Sequence, residues 1–141
     1  MKINEDSIKY MYSLAKDDKQ LTNIVDWIVK ELQSLPDGKI LLGNAFYSKD
    51  LNCGCLVANA ARPILEAGYE PIDECEEIHV VTIGEKYGLS RDLLKTAMNN
   101  FTRRSSFDSR NSYISCRSDA AIEIGAEASR AFLMAGGKWI G

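Results

Sequence analysis

Apolar residues that recur every three or four positions, in segments closed by glycine or proline, constrain this chain more than any other feature. One such segment runs over residues 21–35 and ends at Pro36-Asp37-Gly38. Its apolar positions are Ile24, Trp27, Ile28 and Leu32. This spacing is typical of an amphipathic helix, and proline followed by Asp-Gly interrupts one. We therefore predict a helix over residues 21–35 with these four side chains on its inner face.

Similar segments with their own start and stop signals follow along the chain. We expect a first helix capped by Asp6 or Ser7, a small-residue helix over 55–66, a helix pair over 76–87 and 90–101, a loop over 102–117, and a last helix capped by Ser118 or Asp119 that ends at Gly136-Gly137. Residues 39–47 fit either a short strand or a helix–loop connection. Trp139 and Ile140 are expected to fold back onto the core.

The fold class follows from this pattern and from the length. A chain of 141 residues suits one hydrophobic core. We predict a mainly α fold, residues 1–141 forming a single compact helical domain of about six helices with one small two-stranded element. A hydrophobic fraction of 45% and a charged fraction of 26% are typical of globular domains and argue against global disorder.

Composition also sets expectations about location. No apolar run approaches the roughly 20 residues that cross a bilayer, and the first six residues lack the apolar run of a secretory signal. The four cysteines are few for a disulfide framework. We expect a cytoplasmic protein with reduced thiols and no membrane partner.

Charge is unevenly distributed along the chain. The net charge is −3, yet residues 86–117 hold seven basic side chains against two acidic ones, so the remainder carries a strong acidic excess. Guanidinium groups bind anions, and aromatic rings stack on bases or fill protein interfaces. The sequence therefore predicts a site for a protein partner or an anionic small molecule, formed by Arg103, Arg104, Phe107, Arg110 and Arg117.

Residues 80–100 also resemble a helix-turn-helix unit. Gly84 would allow two helices to approach, Gly88 would adopt a left-handed turn, and Ser90 would cap the second helix. In a DNA-binding regulator, the outer face of that helix would carry Arg91, Lys95, Thr96 and Asn99. A helix hairpin built only for packing gives the same pattern, and the acidic remainder of the chain opposes nonspecific DNA affinity.

A third hypothesis is a zinc or thiol protein. Cys53, Cys55, Cys75 and His79 supply the ligand types of a Cys3His zinc site. One residue separates the first two cysteines, however, whereas zinc knuckles use about two to four, and buried free cysteines also serve as small apolar residues. His79 is the single histidine, so catalysis of the Cys–His type would require it. We expect no cofactor and a non-enzymatic protein.

A resemblance to a group of known proteins rests on two parts of the sequence. These are the stretch Cys53-Gly54-Cys55-Leu56-Val57-Ala58 and, later, Asn99-Asn100. Over residues 44–100 the chain resembles a loose group of small phage and prophage proteins, in which a turn precedes a Cys-x-Leu-small-Ala helix and a helix pair ends near Asn-Asp. The resemblance implies a phage-encoded accessory or inhibitor protein that binds a host component in the host cytoplasm. It supplies no catalytic residues, and a homo-oligomer is compatible with it.

Overall fold

The computed structural model describes residues 1–42, 47–48, 53–60, 84–102 and 118–140. In chain order the elements are α1 (Glu5–Leu14), α2 (Lys19–Ser34), β1 (Ile40–Leu42), β2 (Tyr47–Ser48), β3 (Cys53–Gly54), α3 (Leu56–Ala60), a helical turn over 84–87, α4 (Arg91–Phe101), α5 (Asp119–Met134) and β4 (Lys138–Ile140). The predicted mainly helical fold with a small two-stranded element is confirmed.

The first two helices begin earlier than the sequence pattern predicts. Asn4 caps α1, because its side-chain oxygen accepts a hydrogen bond from the backbone nitrogen of Asp6 at 2.7 Å. The prediction of Asp6 or Ser7 as the cap is therefore wrong; both lie in the first turn. Asp18 caps α2 by accepting a hydrogen bond from the backbone nitrogen of Leu21 at 3.1 Å, so the helix begins at Lys19, two residues before the predicted start.

The later helix boundaries agree with the sequence pattern. Ser90 caps α4 and Ser118 caps α5, each through a side-chain oxygen that accepts a backbone N–H three residues later. Helix α2 ends at Ser34, just before the predicted break at Pro36, because a residue that precedes proline is disfavoured in helical geometry.

Helix α5 lies at the centre of the packing and contacts α1, α2 and α4. Its closest approach is to α4, where Gly125 faces the backbone of Ala97. A Cβ atom built on Gly125 would lie 2.1 Å from the carbonyl oxygen of Ala97, far inside van der Waals contact. Only glycine therefore fits at this crossing. The fully buried side chains of α5 extend the core on both sides of it: Ala121, Ile124, Ala128, Ala131 and Phe132.

An aromatic cluster joins α4, α5 and β4. The ring centroids of Phe101, Phe132 and Trp139 lie 5.0–5.8 Å apart in tilted and edge-on arrangements, which suit the ring quadrupoles. Helix α5 ends as predicted at Gly136 and Gly137. Gly136 has a φ of +98°, and Gly137 donates its N–H to the carbonyl of Phe132 at 2.9 Å. This turn brings Trp139 back onto the core.

A small parallel sheet pairs residues 40–42 with residues 138–140. Strands β1 and β4 pair with Leu41 opposite Trp139, and Leu41 is fully buried. Residues 40–42 are therefore a strand, which resolves the ambiguity left by the sequence. Ile140 is 39% exposed, so the expectation that it folds onto the core is wrong. Strands β2 and β3 form a separate antiparallel pair. The predicted helical residues 61–66 and 76–83 and loop residues 103–117 lie outside the described residues.

The Gly125 crossing generates a stability prediction. We expect Gly125→Ala to lower the free energy of unfolding by about 3 kcal/mol or more, because the new methyl group would meet backbone atoms that cannot rotate away. The measurement is urea denaturation followed by circular dichroism. Gly38→Ala is the control: it has open space around it and suffers only the strain of its positive φ, about 1 kcal/mol. Equal losses in the two variants would contradict the close contact.

Candidate functional site

The predicted arginine site lies outside the described residues, but both of its attachment points are described. Arg103, Arg104, Phe107, Arg110 and Arg117 all belong to residues 103–117. On one side this stretch follows Thr102, the C-cap of α4, and on the other it precedes Ser118, the N-cap of α5. The residue before Thr102, Phe101, is fully buried in the aromatic cluster. Two well-packed helices therefore hold the ends of the arginine stretch.

These two attachment points are far apart. Ala97 meets Gly125, and Phe101, further along α4, meets Phe132, further along α5. Contacts in the same order along both helices exclude an antiparallel hairpin. Thr102 consequently lies near the C-terminal half of α5, whereas Ser118 caps its start. At a rise of about 1.5 Å per residue, the distance from Ser118 to Phe132 along α5 is about 20 Å.

The turn between residues 84 and 90 ends one helix and leads into α4. Gly88 has a φ of +66°, and Leu89 donates its N–H to the carbonyl of Gly84 at 2.8 Å. This pattern closes a helix end and satisfies its last carbonyl groups. A Cβ atom on Gly84 would lie 3.2 Å from the carbonyl oxygen of Leu89, so a small residue is favoured there as predicted.

The residues predicted to read DNA do not share one exposed face of α4. Thr96 is fully buried, so its expected place on the outer face is wrong. Lys95 and Asn99 are partly buried, and Arg91 is exposed and pairs with Asp92 at 3.5 Å. Within α4 only Arg91 and Asp92 are exposed, with 56% and 51% of their side chains open to solvent, and the other residues of the helix are partly or fully buried. A recognition helix inserts several side chains into the major groove, and α4 presents few at its surface.

The candidate zinc ligands are only partly described. Cys55 is buried directly before α3, with 6% of its surface exposed. Cys53 belongs to β3, while Cys75 and His79 lie outside the described residues. Among the described residues no group of histidine, cysteine and carboxylate side chains is placed to hold a metal ion. The zinc hypothesis remains a prediction.

A cavity of about 290 Å³ lies between α2 and the turn that follows the 84–87 helix. Its volume is near the lower end for small-molecule sites. We call it the α2 cavity. One wall is a single face of α2, with residues at helical spacing, and Tyr87 and Leu89 form the other. The α2 residues in this wall are Asn23, Asp26, Trp27, Lys30 and Glu31.

The polar groups of the α2 cavity have distinct environments. Tyr12, on α1, donates a hydrogen bond from its hydroxyl to the carboxylate of Asp26. Partial burial, followed by this hydrogen bond and the charge of Asp26, raises the pKa of Tyr12 to about 12. Loss of solvent raises the pKa of the Glu31 carboxyl group above its usual value, and the neighbouring Lys30 charge opposes this shift.

The aromatic groups of the α2 cavity were not anticipated as a site. The sequence pattern placed Trp27 on the inner face of its helix, and it is only 5% exposed. Its indole Nε1 is shielded from solvent and donates to no acceptor within the described part of the chain. Tyr87 is 41% exposed, and the Lys86 ammonium lies 5.6 Å from its ring centroid.

Comparisons with known proteins assign the chain to no family. No model of a protein family matches the chain, and searches of the curated proteins and of the solved structures found no significant match. Within the described ranges, no helix combines the length and apolar character needed to cross a membrane. The resemblance to phage proteins remains an expectation from the sequence.

The environment of Glu31 predicts a pH-dependent effect on stability. Because its pKa is raised in the folded protein, ionising Glu31 favours unfolding as the pH rises through the usual carboxyl range. We expect Glu31→Gln to raise the melting temperature at pH 7, and the gain to disappear near pH 3, at about which Glu31 is protonated in both states. Thermal melts at both pH values measure this difference. A lower melting temperature at pH 7 would show that the charge is stabilising.

Proposed function

We propose that this chain is a non-enzymatic binding protein that holds a host protein, or an anionic small molecule, through its arginine-rich stretch. It would be a phage-encoded accessory or inhibitor protein that acts in the cytoplasm of the host. The observation that carries the proposal is the segregation of charge: residues 86–117 are strongly basic in a chain that is acidic overall. Such segregation steers oppositely charged partners and raises their association rate.

The anchoring of the stretch supports this proposal. Arg103 and Arg104 follow α4 directly, and Arg117 immediately precedes the cap of α5. Thr102 and Ser118, the residues at which the two helices meet this stretch, are both described. Guanidinium groups bind carboxylates and phosphates through paired hydrogen bonds. An acidic protein surface and a phosphorylated small molecule both offer such groups.

Charge reversal tests this proposal. We expect Arg103→Glu with Arg104→Glu to weaken partner binding by tenfold or more, about 1.4 kcal/mol, while the melting temperature changes little. The measurement is a pull-down from bacterial lysate, with mass spectrometry of retained proteins and small molecules, followed by calorimetry with the partner identified. Lys9→Glu with Lys16→Glu is the matched control, since both lysines are exposed and far along the chain from the stretch. Equal loss in both variants, or none in either, would contradict the proposal.

DNA binding is the second candidate function, and the turn at Gly88 favours it. The left-handed glycine, the close packing at Gly84 and the Ser90 cap together support a helix-turn-helix arrangement. The burial of α4 restricts this candidate to contacts made by its first turn, where Arg91 is exposed.

A salt series distinguishes this second candidate. If the helix pair binds DNA, fluorescence titration with genomic duplex fragments should show an affinity that falls steeply with salt concentration, because phosphate contacts release counterions. Arg91→Glu should weaken this binding about tenfold, whereas Lys9→Glu should leave it nearly unchanged. Absence of binding at low salt would exclude DNA as the partner.

A further inference from the structure

The turn between α2 and β1 contains the one Asp-Gly pair of the sequence. Lys39 donates its N–H to the carbonyl oxygen of Pro36 at 3.2 Å, so Asp37 and Gly38 are the two central residues of this turn. Gly38 has a φ of +73°, which suits glycine at that position. One backbone hydrogen bond therefore closes the turn around this pair.

Both reactive groups of the pair are accessible. The Asp37 carboxylate is 92% exposed, and the Met1 ammonium lies 3.9 Å from one of its oxygens, a contact that restrains an exposed side chain little. The Gly38 N–H donates to no acceptor in the part of the chain that the structure describes. A Cβ atom built on Gly38 would meet nothing within 4 Å. Neither a hydrogen bond to this amide nor a neighbouring side chain therefore hinders its nitrogen.

A carboxyl group beside a free glycine amide is the arrangement from which a succinimide forms. The Gly38 nitrogen attacks Cγ of the protonated Asp37 carboxyl group and loses its proton, and a carboxyl oxygen leaves as water. If water then adds to the ring at Cγ, aspartate is restored. If it adds at the main-chain carbonyl carbon, the original peptide bond breaks and the chain continues through Cγ as isoaspartate. One water leaves and one returns, so the reaction needs no further reactant.

Other described aspartates lack this combination of features. Asp17 is also exposed in a turn, but the N–H that follows it, on Asp18, donates to the carbonyl oxygen of Ala15 at 3.0 Å. Asp18 also carries a side chain, which hinders attack by its nitrogen. Asp26 lies within α2, where the next amide belongs to the helical hydrogen-bond ladder. Asp17 therefore serves as an internal control for exposure alone.

We propose that Asp37-Gly38 is a site of spontaneous isoaspartate formation that loosens the pairing of β1 with β4. This modification is separate from the proposed function and does not depend on it. Isoaspartate adds one methylene group to the main chain just before β1. The Lys39 carbonyl, which comes next, accepts the N–H of Lys138 at 3.1 Å. The added length strains this contact, so the modified chain is less stable than the original.

Ageing of the intact chain for several weeks at neutral pH and physiological temperature tests the proposal. Isoaspartyl methyltransferase with labelled S-adenosylmethionine measures the isoaspartate, and fragmentation mass spectrometry of peptides locates it. We expect isoaspartate to accumulate at position 37 and not at Asp17, after a species that is one water lighter. The aged form, separated by chromatography, should melt at a lower temperature than the fresh form.

Matched variants identify the groups that react. Asp37→Glu keeps the charge and the glycine but would have to close a larger ring, so the product at this position should disappear. Gly38→Ala should slow its formation several-fold, because the methyl group hinders the nitrogen. Asp37→Asn should accelerate it, because a neutral amide is attacked more readily than a carboxylate. Melting temperatures before ageing confirm that each variant is folded.

Three results would overturn the proposal. The first is an aged chain without isoaspartate at position 37, or with equal amounts at Asp17. The second is an undiminished yield from Asp37→Glu or Gly38→Ala. The third is an aged form that melts together with the fresh one, which would contradict the effect on β1.

Discussion

The backbone contact between Gly125 and Ala97 is the constraint on which the other parts of the core depend. It sets the distance between α4 and α5, and this distance determines whether Phe101 can reach Phe132. Phe132 in turn packs over Gly137, where a Cβ atom would lie only 2.3 Å from the ring. Two glycines therefore control how closely α4, α5 and the return to β4 pack. Residues without side chains are as important to this core as its large apolar groups.

Features that depend on local hydrogen bonds could be predicted from the sequence. Ser90 and Ser118 cap their helices, and Gly88 and Gly136 end theirs, because each signal acts within one helical turn. The position of Asn4 was missed for a related reason: several polar residues compete at the start of α1, and sequence alone does not decide which one bonds to the free N–H groups. Boundaries are fixed by small energy differences between neighbouring caps.

Features that depend on contacts between distant segments were not predictable. Thr96 is polar and was expected on the outer face of α4, but tertiary packing buries it completely. The α2 cavity brings Trp27 together with Tyr87, and no sequence pattern relates these two positions. The positive charge of the arginine stretch could be predicted, because counting charged residues requires only the sequence. The separation between its attachment points, Thr102 at the end of α4 and Ser118 at the start of α5, became apparent only from the order of helix contacts.

The parallel pairing of β1 with β4 has a consequence for how the chain folds. These strands are separated by about a hundred residues, so their contact closes a very large loop, and such closures slow folding. Until β4 pairs with β1, Leu41 lacks its partner strand, and the rings of Phe101 and Phe132 lack the indole of Trp139. During that interval these apolar groups are exposed to neighbouring molecules. Helices α1 and α2 can form early, but the core is closed only when these two distant strands pair.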